Sequence, residues 1–137
     1  MANRIKYVLV RAFQRRILNP LVRAMAKRDI LPPSTAILET TGRKTRKPRQ
    51  IPVTNGTIGD TFWIVAEHGR KADYVRNLIA NPRVRVKVGR TWREGTAHVL
   101  PEDDARARSK QLPHQVNQRT VRIVGTDLLT IRIDLEP

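Results

Sequence analysis

Between Thr41 and Val53 the chain reads TGRKTRKPRQIPV and places Arg43, Lys44, Arg46, Lys47 and Arg49 around a turn. Such a cluster suits an anion. Guanidinium groups offer planar, forked donors to phosphate or carboxylate, ammonium groups act as mobile point charges, and Thr45 adds a hydroxyl. The loop resolves into a short apolar strand carrying Pro48 and Pro52. Ala36 to Thr40 before it also has strand character, so two sheet elements hold the loop. Binding residues concentrate on loops scaffolded in this way.

Other residues able to do chemistry are few. His68 follows Glu67 at the end of the apolar run 62–66. Its imidazole can donate to an oxygen on which charge develops, orient a substrate, or simply bond to backbone. Glu67 is placed to pair with Arg70 or Lys71. Tyr74 can stack on a ring, bond through its hydroxyl, or pack a helix onto the sheet. His98 and His114 have no companions at ligand spacing, and the chain has no cysteine. No metal site, disulfide or thiolate catalysis is therefore expected. There is no glycine-rich phosphate loop, no Ser/His/Asp set and no carboxylate pair suited to acid–base work.

The elements that must position these residues are legible from periodicity. Strands are predicted over 35–41, 49–54, 61–66, 83–89, 92–100 and 127–135, with turns at Asn55-Gly56, Gly59-Asp60 and Gly89-Arg90. Trp63 is expected in the core and Trp92 half exposed. Short helices are predicted over 72–80, ending at Asn81-Pro82, and over 102–111, with Pro101 in its first turn and Glu102, Asp103 and Asp104 at its positive end. Six short strands with few helices imply a small, mostly antiparallel barrel. Ahead of it, Ile5, Leu9, Phe13, Ile17, Leu21 and Met25 recur every four residues and predict an amphipathic, arginine-rich helix over 3–28, kinked at Pro20. The expected division is a helical unit over 1–33 and a barrel over 34–137.

The chain has 137 residues and a formal charge of +15, which calls for an anionic partner: nucleic acid, anionic lipid, or a small phosphate or carboxylate. An aromatic content of 4% argues against nucleic acid, because single strands are held by stacking. No apolar run is long enough to span a bilayer, and the N-terminus lacks a secretory pattern. The expected compartment is the cytoplasm. Helix 3–28 has two readings: packing on the barrel, or peripheral docking on the anionic inner face of a membrane.

Three segments together resemble the deazaflavin (F420)-dependent nitroreductase family of actinobacteria. They are Thr41-Gly42-Arg43-Lys44-Thr45 with Pro48-Arg49 and Pro52; Val65-Ala66-Glu67-His68-Gly69; and Tyr74-Val75-Arg76-Asn77-Leu78-Ile79-Ala80-Asn81-Pro82, leading into Val84-Arg85-Val86. The resemblance covers residues 34–135. It implies a split β-barrel of about six strands, FMN-binding-like, that holds coenzyme F420 with its phosphate and oligoglutamate tail. Family members transfer hydride from the reduced deazaflavin to quinones, nitro compounds or activated alkenes; the cofactor carries the reaction. The resemblance assigns Arg43, Lys44, Thr45 and Arg49 to the phosphate and tail. Gln50, Ile51, Pro52, Val53 and Thr54 would lie along the ring, with Ala66, Glu67, His68 and Gly69 on its other side. Asp73, Tyr74, Val75, Arg76 and Asn77 would form the helix closing over it, with His68 and Tyr74 as the catalytic candidates.

This chain also departs from the family. Arg46 follows Thr45 where the family usually has glycine, which either bars a positive φ there or adds a cation. No tyrosine follows Tyr74, unlike members that reduce nitroimidazoles, so the acceptor does not carry over. FMN in place of F420, a non-catalytic binder of flavin, tetrapyrrole or lipid, and a basic nucleic-acid binder are the competing expectations. The oligomeric state is expected to be monomer or homodimer.

Overall fold

The structure is a computed structural model and describes residues 32–113 and 127–137. The expected helix over 3–28 and His114 lie outside the described residues. Seven strands form one antiparallel sheet: β1 (Thr35–Thr41), β2 (Pro48–Thr54), β3 (Thr57–Ile58), β4 (Thr61–Ala66), β5 (Arg83–Val88), β6 (Thr91–Leu100) and β7 (Leu129–Leu135). Their order is β2-β1-β5-β6-β7-β4-β3.

That order forces curvature. The two edge strands, β2 and β3, are neighbours in the chain, separated only by Asn55-Gly56. In a flat sheet they would stand about 29 Å apart at the usual strand spacing of roughly 4.8 Å. Two residues reach only about 7–10 Å. The sheet must therefore curl until its edges nearly meet, and the result is a half-barrel. Asn55 pins this corner. Its Nδ2 donates to Pro33 O at 3.0 Å, and its Oδ1 accepts from Thr57 N at 3.1 Å and Thr57 Oγ1 at 2.7 Å.

The concave face is the core. Residues opposite one another in an antiparallel pair share a face, so the register Ala36–Val53 and Leu38–Ile51 places all four together. Phe62, Ile64 and Ala66 join them from β4, Val84 and Val86 from β5, and Ile131 and Ile133 from β7. Helix α1 (Asp73–Ala80) adds Val75 and Leu78 to the same cluster. Burying each large apolar side chain stabilises the fold by roughly 1.5–3 kcal/mol.

Helix α2 (Ala105–Gln111) packs on β4 and β7. Trp63 is not in the core as expected. Every residue from Phe62 to Ala66 is apolar, so parity alone does not say which face points inward. The register puts Phe62, Ile64 and Ala66 inside and Trp63 on the convex face, half-buried, with the Arg108 guanidinium 4.0 Å from its ring centroid. Trp92 is half-buried, and the Arg85 guanidinium stands 4.6 Å from its ring.

β1 and β4 match the expected bounds, and β5, β6 and α1 each differ by one residue, β5 ending at Val88, β6 beginning at Thr91 and α1 at Asp73; four other differences have a physical reason. β3 is an extra strand of two residues, too short to carry periodicity. β2 begins at Pro48, which needs no ladder donor on an edge strand. β7 begins at Leu129, because Asp127 N donates to Glu67 O at 3.3 Å instead of entering the sheet. α2 begins at Ala105 and not near Pro101. Asp104 is its N-cap, with Oδ1 accepting from Ala107 N at 3.1 Å, so Glu102, Asp103 and Asp104 precede the helix.

Candidate functional site

The loop joining β1 to β2 is closed by its own backbone. Gly42 N donates to Lys47 O at 2.8 Å, and Arg46 N donates to Gly42 O at 2.9 Å. Lys47 N donates to Thr45 Oγ1 at 3.3 Å. A side chain at Gly42 would put its Cβ 2.7 Å from Thr45 Oγ1, so glycine is needed for this closure. The closed loop holds Arg46 at φ 61°. This answers the question raised by the absent glycine: the left-handed backbone is kept, at a cost of about 1–2 kcal/mol.

Arg43 ties the loop to α1. Its backbone N and its Nη1 donate to Asn77 Oδ1 at 3.2 and 2.9 Å, and its Nη2 lies 3.5 Å from Asp73 Oδ1. Asn77, 5% exposed, turns its Nδ2 to Thr40 Oγ1 on β1 at 3.3 Å. Strand, loop and helix thus share one buried amide. The other loop cations are used differently. Lys44, Arg46, Lys47 and Arg49 are exposed, and among the described residues no carboxylate pairs with them. Arg83, Arg85, Arg93, Arg108 and Arg132 each lie within 2.7–3.1 Å of an acidic side chain, the Arg83–Glu136 contact at 2.6 Å besides.

The register divides the expected ring-side residues of β2. Arg49, Ile51 and Val53 share the concave face with Thr40, Leu38 and Ala36. Gln50, Pro52 and Thr54 occupy the convex face, where Gln50 Nε2 donates to Glu39 Oε2 at 2.8 Å. Glu39 also accepts both Arg85 Nε and Nη2 at 2.9 Å.

On the far side, β4 runs into a 3-10 turn over Gly69–Lys71 that leads to α1. Gly69 has φ +54°, and a Cβ there would meet Asp127 O at 2.5 Å, so the end of β4 is clamped against the chain entering β7. Ala66 and Val75 are fully buried, whereas Tyr74 is half-buried against the core cluster. Burial and nearby Lys71 hold the His68 imidazole below its ordinary pKa; burial raises that of Glu67. Arg76 is exposed, with Nε donating to Arg70 O at 3.1 Å.

The structure therefore brings Arg43, Asp73 and Asn77 into contact and leaves Lys44, Thr45 and Arg49 exposed on the same loop and strand. Arg46 and Lys47 belong to the same cationic rim, and the density of the charge run was their signal. Thr40 was missed, because only the fold brings it to Asn77.

A family model described as F420H(2)-dependent quinone reductase matches residues 9–136. Two curated relatives named F420H(2)-dependent quinone reductase, from two strains of Mycobacterium tuberculosis, are each 36% identical over 112 residues. Each match covers 73% of this chain and 75% of the relative. Among solved structures, an F420-H2 dependent reductase (FDR-A) superposes with TM-score 0.60 at 22% identity, covering 77% of this chain and 96% of the other. A chain described as a domain-swapped dimer gives TM-score 0.62 at 21% identity, covering 84% and 98%. At these identities the structures show a shared fold.

Proposed function

The chain belongs to the F420H(2)-dependent quinone reductase family, and on that premise we propose that the β1–β2 loop grips the acidic tail of F420 while β2 supports its ring. It is an oxidoreductase that uses F420 and reduces quinone-type acceptors. One observation supports the placement. Four cations close in sequence, Lys44, Arg46, Lys47 and Arg49, stand exposed on one loop with no carboxylate partner among the described residues, whereas Arg83, Arg85, Arg93, Arg108 and Arg132 are each paired with an acid.

The donor set fits the group. A phosphate followed by several carboxylates needs spaced cations, and four of them exceed what the single phosphate of FMN requires. Arg43 and Asn77 act by position: they fix the loop to β1 and α1 before ligand arrives, which lowers the ordering cost of binding. Ile51 and Val53, on the concave face, offer an apolar floor, and Gly69 shapes the opposite wall.

When bound, reduced F420 supplies the hydride, and reduction of a quinone also consumes a proton. His68 and Tyr74 are the candidates in this region to supply one. Burial, with Lys71 nearby, disfavours the charged form of His68, which suits it to hydrogen-bond donation more than to acting as a cationic acid. Tyr74 brings its hydroxyl at the first turn of α1.

Lys44→Ala is expected to weaken F420 binding by about 1–3 kcal/mol, the loss of one charged hydrogen bond. Fluorescence titration of the purified protein measures this, and an unchanged Kd would remove Lys44 from the site. The arginine-rich sequence of residues 3–28 also suits docking on anionic lipid, which would bring the enzyme to membrane-dissolved quinone. The full chain is expected to co-float with phosphatidylglycerol vesicles and to be released by salt; no flotation at low salt would set that part aside. Among the described residues, no helix is long and apolar enough to cross a membrane.

A further inference from the structure

Arg46 is the one described non-glycine residue with positive φ; the other left-handed positions, at 59, 69 and 89, are all glycine. The loop's closure demands this backbone, because the Arg46 N–H bonds back to Gly42 O while Lys47 O accepts from Gly42 N. Glycine would meet the demand without strain. Arginine meets it with strain, and its side chain offers the fold nothing in return: it is exposed, with no hydrogen bond, ion pair or ring contact to another described residue. A strained residue whose side chain makes no such contact among the described residues points to a role toward a ligand.

We propose that Arg46 is a specificity residue for the length of the cofactor's oligoglutamate tail. This rests on the reading that the loop holds F420. Lys44, Lys47 and Arg49 surround Arg46 in sequence and supply enough charge for the phosphate and the nearest carboxylates. A further guanidinium on the same rim adds a forked, permanently charged donor for a carboxylate farther along the tail. Its contribution exists only when the tail is long enough to present that carboxylate. The protein then discriminates among F420 molecules that share one ring and one chemistry.

The test compares the full-length wild-type protein with Arg46→Gly and Arg46→Asn, both compatible with a left-handed backbone. Three probes are titrated by fluorescence: F420 with a long tail, F420 with a short tail, and the deazaflavin nucleoside lacking phosphate and tail. Melting temperatures are measured without ligand. Wild type is expected to favour the long tail over the short one, and both variants to lose about 10- to 150-fold in affinity for the long tail, as for one charged hydrogen bond. Affinity for the tail-free nucleoside stays unchanged, and Arg46→Gly melts at the same temperature as wild type or above it. A long-to-short affinity ratio equal in all three proteins overturns the inference alone. A lower melting temperature for both variants also overturns it, by giving Arg46 a role in holding the loop. Failure of wild type to bind either F420 overturns the cofactor reading, and this inference with it.

Discussion

Gly56→Ala is expected to leave little folded protein at physiological temperature. Gly56 sits at the corner where β2 passes to β3 and the curled sheet nearly closes. A Cβ at this position would lie 1.9 Å from Trp63 O and 2.9 Å from Trp63 C. The obstacle is backbone, not the end of a flexible side chain, and Gly56 O already accepts from Trp63 N at 3.0 Å. Relief would require β3 and β4 to separate at the point where the half-barrel is drawn together. A cost above about 4 kcal/mol belongs to the exceptional class of single substitutions, and a domain holds only about 5–15 kcal/mol in total. Gly59→Ala is the control. Gly59 has φ +60° but nothing within 4 Å of the added carbon, so only backbone strain of about 1–2 kcal/mol applies. Thermal and urea unfolding of both variants decide the matter. Equal destabilisation would mean that the Gly56–Trp63 approach is not tight.

This contrast marks what a sequence can and cannot disclose. Asn55-Gly56 and Gly89-Arg90 were both legible as turns, since glycine and asparagine punctuate strands wherever they occur. Which glycine is indispensable depends on what lies across from it, and Trp63 faces Gly56 only after the sheet has curled. The same limit explains Trp63 itself. A short apolar run set off by the Gly59-Asp60 turn identified β4 as a strand, but a run that is apolar at every position conceals which parity faces inward. In β5 the alternation Val84-Arg85-Val86 left no such ambiguity, and the inward residues were clear. At α2, local chemistry pulled two ways: Pro101 suits a first turn, yet Asp104 supplies the capping oxygen and begins the helix there. The candidate site was legible where it is contiguous. Charge density alone marked residues 43–49. Partition of that charge was not legible, because Arg43 is tied to a residue 34 positions away, whereas its neighbours remain exposed.

The tie through Asn77 leads to the second large effect. Asn77→Leu keeps the branched shape but removes a carboxamide that serves three groups: the Arg43 backbone N–H, the Arg43 guanidinium and the Thr40 hydroxyl. Each polar group left without a partner at a buried position costs about 1–3 kcal/mol. Arg43 and its loop keep partial access to water, so a net loss of about 3 kcal/mol is expected, read as a fall in the urea midpoint without a change in slope. The functional consequence is separate. A loop no longer fastened to β1 and α1 must be ordered as the ligand binds, and F420 affinity is expected to fall by about tenfold even where the variant is fully folded. Two companions isolate the cause. Asn77→Asp retains oxygens to accept from Arg43 and Thr40 and should preserve most of both stability and affinity. Thr40→Val combined with Asn77→Leu removes the stranded hydroxyl, so part of the lost stability should return, while the loop stays unfastened and affinity stays low. If Asn77→Leu instead binds F420 as tightly as wild type, the loop's attachment to α1 serves the fold alone, and the charged rim grips its ligand without being held in place.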